Sequence, residues 1–253
     1  MRDHEWISSR GKRLSAMVHT PDSPAAGGPV AVFCHGFTGD KVGANQLMLN
    51  LAKTLEAAGI AVVRFDFAGS GDSEGVFAAD TTIAGWRQDL ANVLGWVGRR
   101  FAARPVYLLG HSLGGLVALT NTDRAVAGRV ALAPVVYPEE NFRATILGPE
   151  LWAKAVRGET VANFYGKGFS LDGGFVRDLL AVDYDPLAAA AAYDAPLLIV
   201  HGANDAAVPM AGSEELYDGY GGPKKLTVID ADHVFTGRHG ELGALVASWL
   251  KER

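Results

Sequence analysis

The sequence predicts an α/β fold: a mostly parallel sheet with helices on both faces and a small inserted cap. Three observations carry this. Strand-like and helix-like segments alternate from end to end, the pattern of a parallel sheet covered on both sides. The apolar run Val106 to Leu109 leads straight into Gly110-His111-Ser112-Leu113-Gly114, and then into a stretch with helical spacing. The alternation breaks once, between Pro134 and Ala195, for about sixty residues, too long for a plain loop in a compact domain. The expected division is a core of residues 1–134 and 195–253, with residues 135–194 as a cap over the site.

The elements follow in order. His4 to Ser9 and Leu14 to His19 flank the Arg10-Gly11-Lys12 turn and read as an antiparallel hairpin. Pro21 to Pro29 is a Pro/Gly/Ala loop. Val30 to His35 is a buried strand, followed by a helix over Ala44 to Ala58 with Leu47, Leu51 and Leu55 on one face and Gly59 closing it. Ile60 to Phe67 is the next strand, and Gly69-Ser70-Gly71-Asp72-Ser73 a tight turn without the Lys-Ser/Thr of a phosphate loop. Ile83, Trp86, Leu90, Val93, Leu94 and Val97 mark another helix. After the Ser112 segment come strands at Arg129 to Ala133, Pro196 to His201 and Lys225 to Ile229. Helices are expected at Ser213 to Tyr220 and through Leu242, Leu245, Val246, Trp249 and Leu250. The inserted segment carries Trp152, Phe164, Tyr165, Phe169 and Phe175, and Ala188 to Ala192 in it reads as helical.

Composition narrows the partners. The 253 residues suffice for one large domain with a sizeable core, and 49% hydrophobic with 20% charged residues fits a globular protein. A formal net charge of -5 argues against nucleic acid or an anionic membrane as partner. The single cysteine, Cys34, excludes an internal disulfide and sits where a small buried hydrophobe belongs. No signal core follows Met1 and no stretch has the length of a membrane span, so a cytoplasmic enzyme is expected.

Gly-x-Ser-x-Gly between a strand and a helix points to chemistry. The turn is so sharp that the serine is forced into a strained backbone, its hydroxyl at the carboxyl edge of the sheet. The helix from Leu113 aims free N–H groups and its positive end at the same place. A serine needs a base, and the base an orienting carboxylate, ordered Ser, Asp or Glu, His in sheet enzymes of this kind. Asp205 follows the Pro196–His201 strand and His233 the next one, both on the edge where ligands bind. Asp185, Asp230 and Asp232 compete less well with Asp205; His4, His19, His201 and His239 compete less well with His233. The oxyanion of a tetrahedral intermediate needs two N–H donors, expected from Leu113 and from Phe37 after the Val30–His35 strand. His35, His111 and His201 beside Cys34 raise a metal reading, but neither His-Glu-x-x-His nor paired cysteines are present. Ring N–H bonds that pin the loops explain these histidines better, and no metal or cofactor is expected.

Taken together, these residues resemble the α/β-hydrolase superfamily over essentially the whole chain. The matches are His35-Gly36-Phe37-Thr38-Gly39-Asp40-Lys41, Asp66 to Ser73, Gly110 to Gly115, His201-Gly202 through Asp205 to Val208-Pro209, and Asp232-His233-Val234-Phe235. Among members the chain is most similar to the bacterial cinnamoyl (feruloyl) esterases, which share the Gly-Phe-Thr-Gly-x-Lys loop, the Phe-Asp-Phe-x-Gly-x-Gly-x-Ser stretch and a small cap. The resemblance implies an eight-stranded sheet, Ser112 as nucleophile, His233 as base, Asp205 as orienting acid, and Phe37 and Leu113 as the oxyanion hole. Leu113 stands where family members often have glutamine, which keeps the N–H and alters the wall. The Asn163 to Phe169 segment is family-like, without a match for groups that bind a phenolic hydroxyl.

The expected activity is hydrolysis of small carboxylic esters, hydroxycinnamoyl esters among them, through an acyl-enzyme. Peptides, lactones or thioesters are alternative substrates for the same triad, and a non-catalytic receptor is a rival of another class. Exposed apolar residues of the cap suggest a homodimer.

Overall fold

The N-terminal hairpin sets one edge of the sheet. In the computed structural model, which describes residues 1–22, 27–164 and 168–253, β1 (Arg2–Ser9) pairs antiparallel with β2 (Lys12–His19). The connecting Arg10 and Gly11 have φ of 47° and 71°. Two left-handed residues twist the backbone in the sense that the flanking strands need.

The chain continues as β3 (Val30–Cys34), α1 (Leu47–Ala57), β4 (Ala61–Phe65), α2 (Phe77–Asp80), α3 (Ile83–Arg100), β5 (Val106–His111), α4 (Leu113–Leu119) and β6 (Val126–Leu132). The inserted segment holds α5 (Pro138–Asn141), a π-helical turn over Phe142–Ile146, α6 (Gly148–Val156), β7 (Val161–Phe164), β8 (Phe169–Leu171), α7 (Gly173–Ala181) and α8 (Pro186–Ala191). Then follow β9 (Leu197–Gly202), α9 (Ala211–Gly219), β10 (Lys224–Ile229) and α10 (His239–Lys251). One eight-stranded sheet has the order β1-β2-β4-β3-β5-β6-β9-β10, antiparallel at β1–β2 and β2–β4 and parallel elsewhere. β7 and β8 form a separate antiparallel pair.

The strands are apolar throughout because both faces are covered. In β3, Ala31 and Phe33 pack towards α1 and α10, while Val30, Val32 and Cys34 pack towards α3 and α4. Helix α3 shows how local chemistry sets a length. The Thr82 hydroxyl accepts the Gly85 N–H at its start, and Arg99 and Arg100 lie in the last turn, favourable to the helix dipole. Ile83, Trp86, Leu90 and Val93 are fully buried along it, each worth about 2 kcal/mol of transfer free energy.

One expected helix differs. The helix over Ala44 to Ala58 begins only at Leu47, because Gly43, Asn45 and Gln46 take φ of 78°, 49° and 62°. This left-handed turn places the Asn45 amide against the Thr236 hydroxyl at 3.0 Å. Its apolar face is as expected, with Leu47, Leu51 and Leu55 buried. Strand limits elsewhere shift by a few residues. Residues 23–26 of the Pro21–Pro29 loop, and Tyr165, Gly166 and Lys167 of the Asn163–Phe169 segment, lie outside the described residues.

β3 has β4 on one side and β5 on the other, so the chain reverses its travel across the sheet between them. The carboxyl ends of β3 and β5 therefore open a crevice, the place where such sheets bind ligands.

Candidate active site

Ser112 sits in that crevice, between β5 and α4, with φ 55° and ψ −122°. For a residue with a side chain this backbone is costly, and the surroundings fix it. Its N–H donates to Leu132 at 3.0 Å, and its carbonyl accepts the N–H groups of Gly115 at 2.9 Å and Val135 at 3.1 Å. A Cβ on Gly110 would stand 2.3 Å from the Gly114 carbonyl oxygen, and one on Gly114 2.3 Å from that of Cys34. Both glycines are thus required for the close approach of strand, turn and helix.

The Ser112 side chain lines a cavity of about 510 Å³ together with Phe37, Leu47, Met48, Val208 and His233. His233 belongs to the loop between β10 and α10. Asp232 shapes that loop by accepting the N–H groups of Val234 at 3.2 Å and Thr236 at 2.9 Å. The His233 Nδ1–H donates to Asp205 Oδ2 at 2.7 Å, which leaves Nε2 as the basic nitrogen. Asp205 lies just past β9, its side chain 1% exposed. Oδ1 accepts the N–H groups of Ala207 at 2.8 Å and Val208 at 2.9 Å. Oδ2 also faces His201 Nε2 at 3.3 Å. Burial opposes the ionised form, but the bonds from His201 and His233, the His233 charge and the Val208 N–H outweigh it. Asp205 is held well below the usual carboxylate range.

His111 meets His233 from the other side. Its ring lies 4.7 Å from that of His233, and its Nε2–H donates to the His233 carbonyl at 2.9 Å. Burial, helped by the neighbouring His233, pushes its pKa down to about 3, so the ring is neutral and serves as a fixed donor. His35 likewise donates from Nδ1 to Gly36 at 2.8 Å and accepts the Phe67 N–H at 3.2 Å. These histidines pin loops. Burial raises the Cys34 thiol far above its ordinary range.

The expected oxyanion donors are Phe37 and Leu113. Leu113 is the first residue of α4, so its N–H has no intrahelical acceptor. Phe37 lies in a turn closed by the Gly39 N–H on the Gly36 carbonyl at 3.0 Å. Its ring is held by Phe77, Phe142, Phe164 and Phe175, with centroids 4.9 to 5.6 Å away. Three of those four come from the inserted segment, which therefore packs on the turn bearing Phe37.

The other candidates have different partners. Asp185 caps α8 through the N–H groups of Leu187 and Ala188. Asp230 accepts the Asn204 amide at 2.8 Å, and His239 bonds the Val234 carbonyl at 2.9 Å. Asn141 was not singled out from sequence, while Lys41 stood only as part of a matched motif and His201 as a weaker rival of His233. Lys41 pairs with the buried Asp66 at the end of the Phe37 turn, which joins the two motifs that hold these residues. His201 contacts Asp205. Asn141 lines a second cavity of about 250 Å³ with Val135, Val136, Ala144, Val208 and Pro209. Asn141 Nδ2 donates to the Ala207 carbonyl at 2.8 Å, and its buried Oδ1 has no hydrogen-bond partner among the described residues. Val208 borders both cavities. No helix among the described residues is long and apolar enough to cross a membrane.

Comparison with known proteins bears on the fold and the family. Residues 28–171 match the family described as serine aminopeptidase, S33. The solved structure of Est1E from Butyrivibrio proteoclasticus with ferulic acid bound superposes with a TM-score of 0.84 at 25% identity, over 98% of each chain. A monoacylglycerol lipase of Mycolicibacterium smegmatis is 28% identical over 85% of this chain and 83% of its own. The lysophosphatidylserine lipase ABHD12 of Gallus gallus is 35% identical over 49% of this chain, which spans only 30% of that protein. The chain belongs to the serine aminopeptidase S33 family and is an α/β-hydrolase of the esterase and lipase kind.

Proposed function

We propose that the protein hydrolyses neutral carboxylic esters through an acyl-enzyme on Ser112, with a preference for acyl groups that end in a hydroxyl, as hydroxycinnamoyl groups do. The observation that carries the reaction is the 2.7 Å bond from His233 Nδ1 to buried Asp205, with His233 and Ser112 lining the same cavity. His233 Nε2 takes the Ser112 proton as Oγ bonds to the ester carbon, and the carbonyl oxygen becomes an oxyanion held by the N–H groups of Phe37 and Leu113. Collapse breaks the bond to the alkoxy oxygen, which leaves with the proton from His233. Water then adds to the acyl carbon, gives its proton to His233, and the acid departs as Ser112 regains its hydrogen.

The acyl preference is supported by the Asn141 chamber. The chamber is mostly apolar, with Tyr137, Glu140 and Thr145 also on its wall, and the unpartnered buried Asn141 Oδ1 suits an acyl group carrying one O–H donor, because a bond to it satisfies an otherwise costly atom. Est1E with its bound ferulic acid makes the same class reasonable. The apolar wall of Leu47, Met48 and Val208 in the main cavity favours a second reading, a monoacylglycerol or other fatty acyl ester.

Initial rates on methyl p-coumarate, methyl ferulate, methyl cinnamate and p-nitrophenyl acetate, butyrate and laurate separate these. The hydroxycinnamoyl reading expects p-coumarate to exceed cinnamate in kcat/KM by about tenfold, and Asn141→Ala to erase that ratio. A laurate preference with no effect of the phenolic hydroxyl supports the fatty acyl reading instead. Turnover of none of them, with cleavage of peptide anilides, lactones or thioesters, would overturn the ester reading.

A further inference from the structure

We propose that His201 and Ser213 extend the Ser112, His233, Asp205 set by two members, with His201 as a positioning residue that governs how strongly Asp205 holds His233. The role rests on the ester-hydrolase reading above.

His201 ends β9 and is fully buried, four residues before Asp205. Its Nε2 lies 3.1 Å from the Val208 carbonyl and 3.3 Å from Asp205 Oδ2. A carbonyl and an ionised carboxylate are acceptors only, so Nε2 carries the hydrogen and shares it between them. In the neutral ring Nδ1 then accepts, and its neighbour at 2.8 Å is the hydroxyl of Ser213, itself fully buried near the start of α9. The hydroxyl of Ser213 thus fixes the tautomer that lets His201 donate to Asp205.

Fastening the Val208 carbonyl would need only one N–H. The contact with Oδ2 does more, because that oxygen is the one that accepts the hydrogen bond of the His233 Nδ1–H. Two imidazoles draw on its charge, while Oδ1 is saturated by two backbone N–H groups. Without His201 the charge on Oδ2 is concentrated on His233, whose protonated form gains, and the ring takes up its inhibitory proton at higher pH. The titratable groups around the pair are His201 from β9, His111 from β5, and Asp232 beside His233 in its loop.

The test is the acid limb of kcat/KM on p-nitrophenyl butyrate for the wild type, His201→Phe, His201→Gln and Ser213→Ala. His201→Phe is expected to move the midpoint upward by about 0.5 to 1 pH unit. His201→Gln, whose amide both donates and accepts, returns it towards the wild-type position. Ser213→Ala removes only a hydroxyl, folds, and moves the midpoint the same way by less. Midpoints that stay in place in both His201→Phe and Ser213→Ala, with losses confined to stability, overturn the proposal. Should His201→Phe not fold, Ser213→Ala decides alone. A wild type that hydrolyses no ester would overturn the underlying reading, whereas an active wild type with unmoved variants would overturn only the role of His201.

Discussion

Lys41 Nζ lies 2.6 Å from Asp66 Oδ2, which joins the loop after β3 to the loop after β4. The same carboxylate accepts the Lys41 N–H at 2.5 Å and the Asp72 N–H at 2.8 Å. Arg64 donates to the Lys41 carbonyl at 2.8 Å. Everything here fixes the far end of the turn that carries Phe37. Lys41→Met leaves Asp66 buried without its counter-charge, a loss of about 3 kcal/mol. Urea unfolding checks the stability, and on the proposed oxyanion role of the Phe37 N–H, kcat is expected to fall more than KM rises. Asp72 is 78% exposed on its side chain, so Asp72→Asn should cost little.

The inserted segment acts on the same turn through Phe142. That ring is fully buried, 4.9 Å from Phe37 and 4.6 Å from Phe175. Phe142→Ala removes one side of the cluster, at a cost of about 3 to 5 kcal/mol. A thermal melt should show the loss, and kcat on a small ester that cannot reach the segment should fall as well. Unchanged kcat on p-nitrophenyl acetate would mean that the segment only covers the site.

Stability should depend on pH through His111. Its folded pKa of about 3 is below the ordinary 6.5, so its contribution is whole above pH 6.5. As pH falls from 6.5 towards 3, the unfolded chain binds a proton that the folded one refuses. Stability then drops by about 1.4 kcal/mol per pH unit. His35, lowered by burial, adds in the same direction. Urea midpoints at about pH 7.5 and about pH 5.5 measure the slope, and His111→Gln, which keeps a donor without a titrating group, should flatten it.

Much of this was legible in the chain because it is local. The Gly110 to Gly114 run and the apolar strands each declare themselves within a few residues. The start of α1 did not, because Asn45 and Gln46 are turned left-handed by a partner at Thr236, far away in sequence. Asn141 is set by the Ala207 carbonyl across the insertion, and His201 acquires its meaning only where Val208, Asp205 and Ser213 close around it. Contacts between distant segments leave no periodic trace. The phenylalanines of the insertion were visible as residues, but their grip on Phe37 was not.

The most direct measurement is covalent labelling with a fluorophosphonate, read by intact mass and peptide mapping beside loss of ester hydrolysis. The account predicts one adduct, on Ser112, with activity lost in proportion, and no adduct on Ser112→Ala, which stays folded and inactive. An adduct on another residue, or full hydrolysis by Ser112→Ala, would contradict it.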